Sequence, residues 1–420
     1  MKIVHLNTYH SNGGAGRACQ RLDRALRRSG AESTIWVNFT FETTGGVNNF
    51  SAGFFRKWIT AAGIIAERVL AKFLLRPLKT PFSFPVWGRD ISRHRALREA
   101  DIIHLHWVNH SFLRPRDLAR LGRLNKPVVW TFHDSNAFTG GCHVRYGCDH
   151  FHHECGNCPL LKNAHPDDLS HSIWKAKNKA YAQLPFSVIA PSRWMLESVK
   201  ASKLLGGRQV LNIPNTLDTS VFSPSDRAEA RRKLGLDPDR FVMLSGFMPS
   251  RKDLHKGTSF LLEALEIFAA GDPEVKDRVQ LVVFGNRGNG PEAAFPVPAT
   301  FLGTISDDER LALCYTAADA FLAPSLEDNL PNTVMESLSC GTPVIAFTTG
   351  GIPDMVDHLR NGYLARYRSA DDLAAGLRWI YGHPDRDSIR SQARETVESR
   401  FSEEIIAARH LEHYQNLLNL

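Results

Sequence analysis

The sequence predicts an α/β protein made of two doubly wound, Rossmann-like domains with a cleft between them. Three observations carry this. The chain has 420 residues, more than one hydrophobic core comfortably serves, so two domains are expected. Short apolar segments alternate with helical stretches, the pattern of parallel sheets built from βαβ units. That pattern runs through twice, separated by a region rich in turn formers between Ile213 and Asp239.

In the first half the expected strands are Lys2–Asn7, Thr34–Val37, Asp101–Trp107, Val128–His133, Ser187–Pro191 and Val210–Pro214. In the second they are Phe241–Ser245, Gln280–Gly285, Ala320–Pro324 and Pro343–Phe347. Several are continuous apolar runs, as expected of strands covered on both faces. The domains are expected over 1–212 and 213–401. The apolar spacing of 402–420 predicts one amphipathic helix that packs back on the first domain.

Lysine and arginine exceed aspartate and glutamate by 51 to 44, a net charge of +7. Such a balance favours anionic partners, whether nucleotide diphosphates, lipid headgroups or nucleic acid, without choosing among them. No apolar run approaches the roughly 20 residues that cross a bilayer, and Met1–Asn7 reads as a strand rather than a leader. Seven cysteines, four of them crowded between Cys142 and Cys158, do not make a disulfide scaffold. A reducing, cytoplasmic setting is expected.

Four segments carry chemistry. Asn12-Gly13-Gly14-Ala15-Gly16-Arg17 follows the first strand and opens a helix near Ala15. Its amides suit a diphosphate, although a tight strand–helix turn has the same composition. Gly246–Gly257 places Arg251, Lys252 and Lys256 after the first strand of the second domain, where they could neutralise a diphosphate or simply form a solvated loop. Ser325–Glu336 follows the Ala320–Pro324 strand with acids and amides, and Pro331 can open a helix at its first turn. An acid before that helix and Glu336 inside it suit sugar and ribose hydroxyls, and Gly341 and Pro343 stop the helix. His133, in Trp130-Thr131-Phe132-His133-Asp134, ends a strand where a donor sugar or diphosphate would bind; the alternative is a histidine that only fills the domain surface. His104 and His106 flank Leu105 in an apolar strand and read as core residues, with His106 nearer the cleft.

The acidic segment resembles that of retaining GT-B glycosyltransferases of family 4, in which two glutamates stand either side of seven residues. Asp328 and Glu336 meet that spacing, with Asp in the first place; Glu327 is one residue early. The resemblance implies that Asp328 contacts the donor sugar and Glu336 the ribose. Asn329, Leu330 and Asn332 resemble the branch of the family found in capsule and exopolysaccharide assembly and are expected at the substrate. Gly13, Gly14 and Gly16 are similar to the family's glycine loop, Ile213–Asp218 with Phe222 and Pro224 to its interdomain stretch, and Gly350–Asp354 to its Gly-Gly-x-Pro-acid turn. Lys256-Gly257 matches its diphosphate-binding position, and Arg251 is a looser match. The resemblance implies transfer from a nucleoside diphosphate sugar to a hydroxyl of a glycan or lipid-linked acceptor, with retention and without a catalytic metal. His133, Asp328 and Glu336 are the expected catalytic residues.

Two features stand apart. Cys142, Cys148, Cys155 and Cys158, ending in Cys-x-x-Cys and interleaved with His143, His150, His152 and His153, fit a structural zinc site, in which one His could replace a Cys; free thiols or paired disulfides are the alternatives. Residues 54–79 mix aromatics with Lys57, Arg68, Lys72 and Arg76 along one side. Such a helix either touches the inner membrane face or packs its apolar side on the first sheet, and packing is the commoner outcome. The rival functions are a nucleic-acid-binding protein with a zinc knuckle, disfavoured because the basic residues are dispersed, a catalytically inactive binding subunit, and a same-fold epimerase or inverting transferase.

Overall fold

A computed structural model describes residues 1–11, 13–40, 47–51, 53–77, 81–246, 254–272, 274–285 and 295–419, with the backbone alone at Phe54 and Leu254. The chain divides into two compact units. One holds Met1–Thr216 with Ile406–Leu420, and the other Leu217–Ile405.

The first unit contains β1 (Lys2–Tyr9), β2 (Glu32–Phe39), β3 (Asn48–Asn49), β4 (Ile102–Leu105), β5 (Val128–Thr131), β6 (Ser187–Ala190) and β7 (Val210–Asn212). They form one parallel sheet in the order β3-β2-β1-β4-β5-β6-β7. The second unit contains β8 (Phe241–Gly246), β9 (Val279–Phe284), β10 (Ala299–Gly303), β11 (Ala320–Ala323), β12 (Val344–Phe347) and β13 (Gly362–Ala365). Their order is β10-β9-β8-β11-β12-β13, again all parallel. Both sheets are therefore doubly wound. In each, the strand order reverses once, between β1 and β4 and between β8 and β11, and that is where such sheets leave a crevice at the strand C-termini.

Alternation along the strands explains the two-sided burial. In β5, Val128 and Trp130 enter one core while Val129 enters the other, the latter shared with Ile3, Leu26, Ile406 and Tyr414. β11 repeats the arrangement, with Phe321 and Ala323 on one side and Ala320 and Leu322 on the other. Glu403–Leu418 is helical, and its Tyr414 hydroxyl bonds His104 Nδ1 at 2.7 Å. The ten expected strands all form. β3, β10 and β13, which the apolar pattern does not mark, are edge strands; each pairs on one side only, so less of its length has to be apolar.

The helix Phe54–Leu74 corrects the packing expected for that segment. Its inward face is mixed: Gly63, Leu70 and Ala71 lie there, the last two packing on Leu75, Phe82 and Phe84, together with two polar residues. Thr60 and Glu67 are buried, Thr60 Oγ1 meets Ser51 Oγ at 2.9 Å, and Glu67 Oε1 accepts from the Ser111 N–H at 2.7 Å and the Ser111 hydroxyl at 3.0 Å. Gly63 lies over Ser111, where a Cβ would come within 2.7 Å of Oγ. Burial pushes the Glu67 carboxyl up to about 7 against those hydrogen bonds. The opposite stripe is exposed: Phe55 at 80%, Trp58 at 64%, Ile59, Ile65, Val69 and Phe73 at 70%. Arg76 does not belong to this helix. It follows the last turn, and its Nε donates to the Leu161 carbonyl at 3.2 Å. Lys79 lies outside the described residues.

Candidate functional site

In the second unit the candidate residues gather at the C-terminal end of β11. Gly257 adopts a left-handed φ of +65°, and a Cβ there would sit 1.9 Å from the Pro324 carbonyl oxygen. Only glycine lets the backbone come so close. The approach brings Lys256 beside the acidic loop, and its Nζ lies 3.0 Å from Asp328 Oδ2. The pair is partly exposed, so its worth to stability is at most about 1 kcal/mol; its importance is placement. Gly350 closes the loop from the other side. Its φ is +54°, a Cβ would lie 1.8 Å from the Asp328 carbonyl oxygen, and the Gly351 N–H donates to that same oxygen at 3.1 Å. The Leu326 N–H donates to the His255 carbonyl at 2.7 Å and the Thr349 hydroxyl to the Leu326 carbonyl at 2.9 Å. The Lys-Gly and Gly-Gly motifs therefore grip one loop.

The helix after it spans Asn332–Ser339, with Pro331 as its N-cap rather than its first helical residue. Glu336 sits in the second turn, 1% exposed, and its Oε2 accepts from the Tyr315 hydroxyl at 3.0 Å. Asn329 is buried and Asn332 half-buried. Leu330 packs with Val334 and Met335 in the core. Arg251 lies outside the described residues.

In the first unit, β1 ends at Tyr9 and the next helix runs Gly13–Arg28, two residues earlier than the expected start. Gly13 and Gly14 are exposed, and Gly16 is buried against the His10 carbonyl. His133 follows β5 and joins a row of imidazoles. His133 Nε2 lies 3.1 Å from His106 Nδ1, and His106 Nε2 lies 2.9 Å from His5 Nδ1. His104 turns the other way, to Tyr414 and to the Thr131 hydroxyl at 2.7 Å. Burial drives His5 and His133 down to about 4 and His104 and His106 well below the ordinary imidazole value. The row is neutral at pH 7.

Neutrality makes the proton order correlated, since each ring carries one proton. If His5 donates from Nδ1, His106 donates from Nδ1 in turn, and His133 keeps its proton on Nδ1. The reverse order would leave an N–H on His5 Nε2, which is buried and has no hydrogen-bond partner. A buried donor left unmade costs about 1–3 kcal/mol, so the first order is favoured and His133 presents Nδ1–H as a donor. Asp134, next in sequence, accepts from His143 Nδ1 at 2.6 Å, from Trp107 Nε1 at 2.8 Å and from the Asn136 N–H. Burial works against its ionisation, but His143 and these hydrogen bonds outweigh it and hold the carboxyl below the usual range.

His5, Trp107 and Tyr315 are absent from the motif reading, because each comes from a segment far from the motifs in sequence; His143 stood there only among the histidines of the cysteine cluster. Cys142, Cys148, Cys155 and Cys158 line one cavity. Among the described residues, the three His, Cys, Asp or Glu side chains whose donor atoms all lie within 4.8 Å of one another are His5, Cys19 and His106. No described helix is long and apolar enough to cross a membrane.

Known proteins share both units. The family described as Glycosyltransferase Family 4 matches residues 12–221, and Glycosyl transferases group 1 matches residues 241–383. A D-inositol 3-phosphate glycosyltransferase of Geodermatophilus obscurus is 35% identical over 184 residues, covering 41% of this chain and 40% of that protein. Its counterpart in Actinosynnema mirum is 32% identical over 249 residues, covering 50% and 58%. The match thus spans less than two thirds of either relative. Among solved structures, sucrose-phosphate synthase from Thermosynechococcus elongatus superposes with a TM-score of 0.67 at 19% identity over 100% of both chains. Anabaena Alr3699/HepE in complex with UDP and glucose does so with a TM-score of 0.64 at 18% identity over 99% of each. At such identities the likeness is one of fold.

Proposed function

The chain belongs to glycosyltransferase family 4, and from that premise we propose that it moves a sugar from a nucleoside diphosphate sugar to a hydroxyl of a glycan or lipid-linked acceptor. The observation that carries this is the Lys256–Asp328 pair at the switch point of the second sheet, with Glu336 one helix turn beyond. Lysine there balances the charge that develops on a departing diphosphate. Asp328 accepts from sugar hydroxyls and Glu336 from the ribose. Arg251 and the amides of Gly13, Gly14 and Gly16 add positive character, and Asn329, Leu330 and Asn332 line the donor. His133 donates through Nδ1–H to a sugar oxygen without carrying a charge. In the step itself, the bond from C1 to the phosphate oxygen breaks and the acceptor oxygen bonds C1 on the same face. The acceptor proton passes to the departing phosphate. This gives retention and asks no catalytic metal ion. The HepE structure, titled as a complex with UDP and glucose, supports a uridine donor, and the acceptor fits a cell-surface polysaccharide.

We infer that the acceptor is met at the cytoplasmic face of an anionic bilayer. The exposed stripe of Phe55, Trp58, Ile59, Ile65, Val69 and Phe73 is flanked by Lys57, Arg68 and Lys72 on the same helix, the composition of an interfacial helix. Cosedimentation with phosphatidylglycerol vesicles, lost in pure phosphatidylcholine and in Phe55→Ser/Trp58→Ser, is the expected result; equal binding by the double variant rejects it.

The decisive experiment for the reaction is calorimetry against a panel of nucleoside diphosphate sugars, followed by product analysis by NMR. Binding of at least one donor, lost in Glu336→Ala, with an axial or equatorial anomer unchanged from the donor, is expected. No binding by any donor would sink the proposal, and an altered anomer or an epimerised donor would replace it with an inverting transferase or an epimerase.

A further inference from the structure

The cysteine-rich excursion after His133 has no part in the transfer step. Cys142, Cys148, Cys155 and Cys158 are free thiols that converge on one cavity from a stretch of seventeen residues. Backbone amides are aimed at the sulfurs. The Gly140 N–H donates to Cys155 Sγ at 3.1 Å, and the Leu160 N–H interacts with the Cys158 sulfur. A thiolate accepts such bonds far better than a thiol does. The Cys158 N–H donates to Asp168 Oδ2 at 2.7 Å, and Asp168 caps the helix Leu169–Tyr181.

A buried cation stands beside these sulfurs. Lys177 Nζ donates to the Thr139 carbonyl at 3.0 Å, to Asn136 Oδ1 at 3.3 Å and to the Asn136 carbonyl. Among the described residues it makes no ion pair with a carboxylate. The same Thr139–Gly140 stretch supplies both the carbonyl that holds this ammonium and the amide aimed at Cys155 Sγ, so the cation lies close to the sulfurs.

We propose that Cys142, Cys148, Cys155 and Cys158 bind one zinc ion as a structural tetrathiolate site. As the divalent ion binds, the four thiols lose four protons to solvent, leaving a centre of charge −2 beside the Lys177 ammonium. The donor set is the one zinc favours. With Zn–S near about 2.3 Å the sulfurs approach to about 3.8 Å. No three of them lie within 4.8 Å of one another among the described residues, so coordination draws the loop inward. The centre then braces the turn that carries His133 and Asp134, because Lys177 holds Asn136 and the Asn136 N–H holds Asp134.

The test is independent of any donor. Full-length protein is purified in metal-free buffer, and zinc is measured by elemental analysis and by mercurial titration with a colorimetric chelator. The expected result is one zinc per chain, released as four thiols are blocked, with Tm falling by several degrees on release. Cys155→Ser and Cys158→Ser should lose the metal, whereas Cys314→Ser keeps it. Less than a tenth of an equivalent of zinc in wild type, iron in its place, or zinc retained by both serine variants overturns the proposal. Should the serine variants fail to fold, the wild-type release curve decides, since a site using fewer than four thiols would discharge earlier.

Discussion

The two strand-end clusters, one in each unit, are built on the same sheet plan and carry opposite electrostatics. Around His133 burial holds the imidazoles of His5, His106 and His133 neutral, and the neighbouring carboxylate of Asp134 is already engaged by His143 and Trp107. Around Asp328 a lysine and a carboxylate stand charged and half-exposed. The difference separates what each strand end suits chemically. Sugar hydroxyls need directional donors and acceptors, which neutral rings supply without the cost of burying charge. A diphosphate needs positive charge that is not already neutralised on all sides, and a partly exposed pair can be reorganised around it.

The sharpest way to break this contrast is to remove the charge. Lys256→Ala is expected to lower kcat/KM for the donor by about 10²–10³, or roughly 3–4 kcal/mol, while Lys256→Arg retains a measurable fraction in the same steady-state assay. A loss below tenfold for Lys256→Ala would mean that the charged cluster does not act on the leaving group.

The neutral cluster is tested by acid. A histidine whose folded value lies near 4 and whose unfolded value is 6.5 stays unprotonated in the fold, while the unfolded chain binds the proton. Its stabilising contribution is complete above pH 6.5 and is lost as pH falls towards 4. For the fully buried His5 that is on the order of 3 kcal/mol. Tm measured across this window should fall steeply in wild type and less steeply in His5→Leu; parallel slopes would show that His5 is not held neutral by the fold.

Gly350→Ala probes the grip on the charged loop. Its Cβ has no room beside the Asp328 carbonyl, so about 1–3 kcal/mol of stability should be lost in urea unfolding, together with donor binding. A variant that keeps both would show that the loop adapts. The smallest effect is expected from His106→Leu, which cuts the imidazole row while preserving bulk. A drop of about tenfold in kcat with KM unchanged, near 1.4 kcal/mol, should accompany a change in the ¹⁵N signature of His133. An unaltered His133 tautomer would separate the row from the reaction.

Much of this was legible in the chain itself. The apolar runs located ten strands, and the spacing of Asp328 and Glu336 after β11 located the charged loop. Lys256-Gly257 and Gly350-Gly351 were visible as motifs, but their common purpose was not: Gly257 packs on Pro324 and Gly350 on Asp328, contacts between segments far apart in sequence. The imidazole row was hidden for the same reason. His5 and His106 are 101 residues apart and meet only because β1 and β4 are neighbours in the sheet.

Residues 54–74 mark the limit of pattern reading. Their periodicity is helical and amphipathic, and they are a helix. Periodicity alone favoured burying the apolar stripe, yet Ser111 and Ser51 draw Glu67 and Thr60 inward and leave Trp58 and Phe73 exposed. The alternation of strands and helices follows from the local pattern, because apolar period and turn chemistry are properties of neighbouring residues. Which edges acquire a further strand, which face of a helix stays wet and which rings share protons are settled by contacts between distant segments. Each of these depends on a partner that the local pattern does not contain.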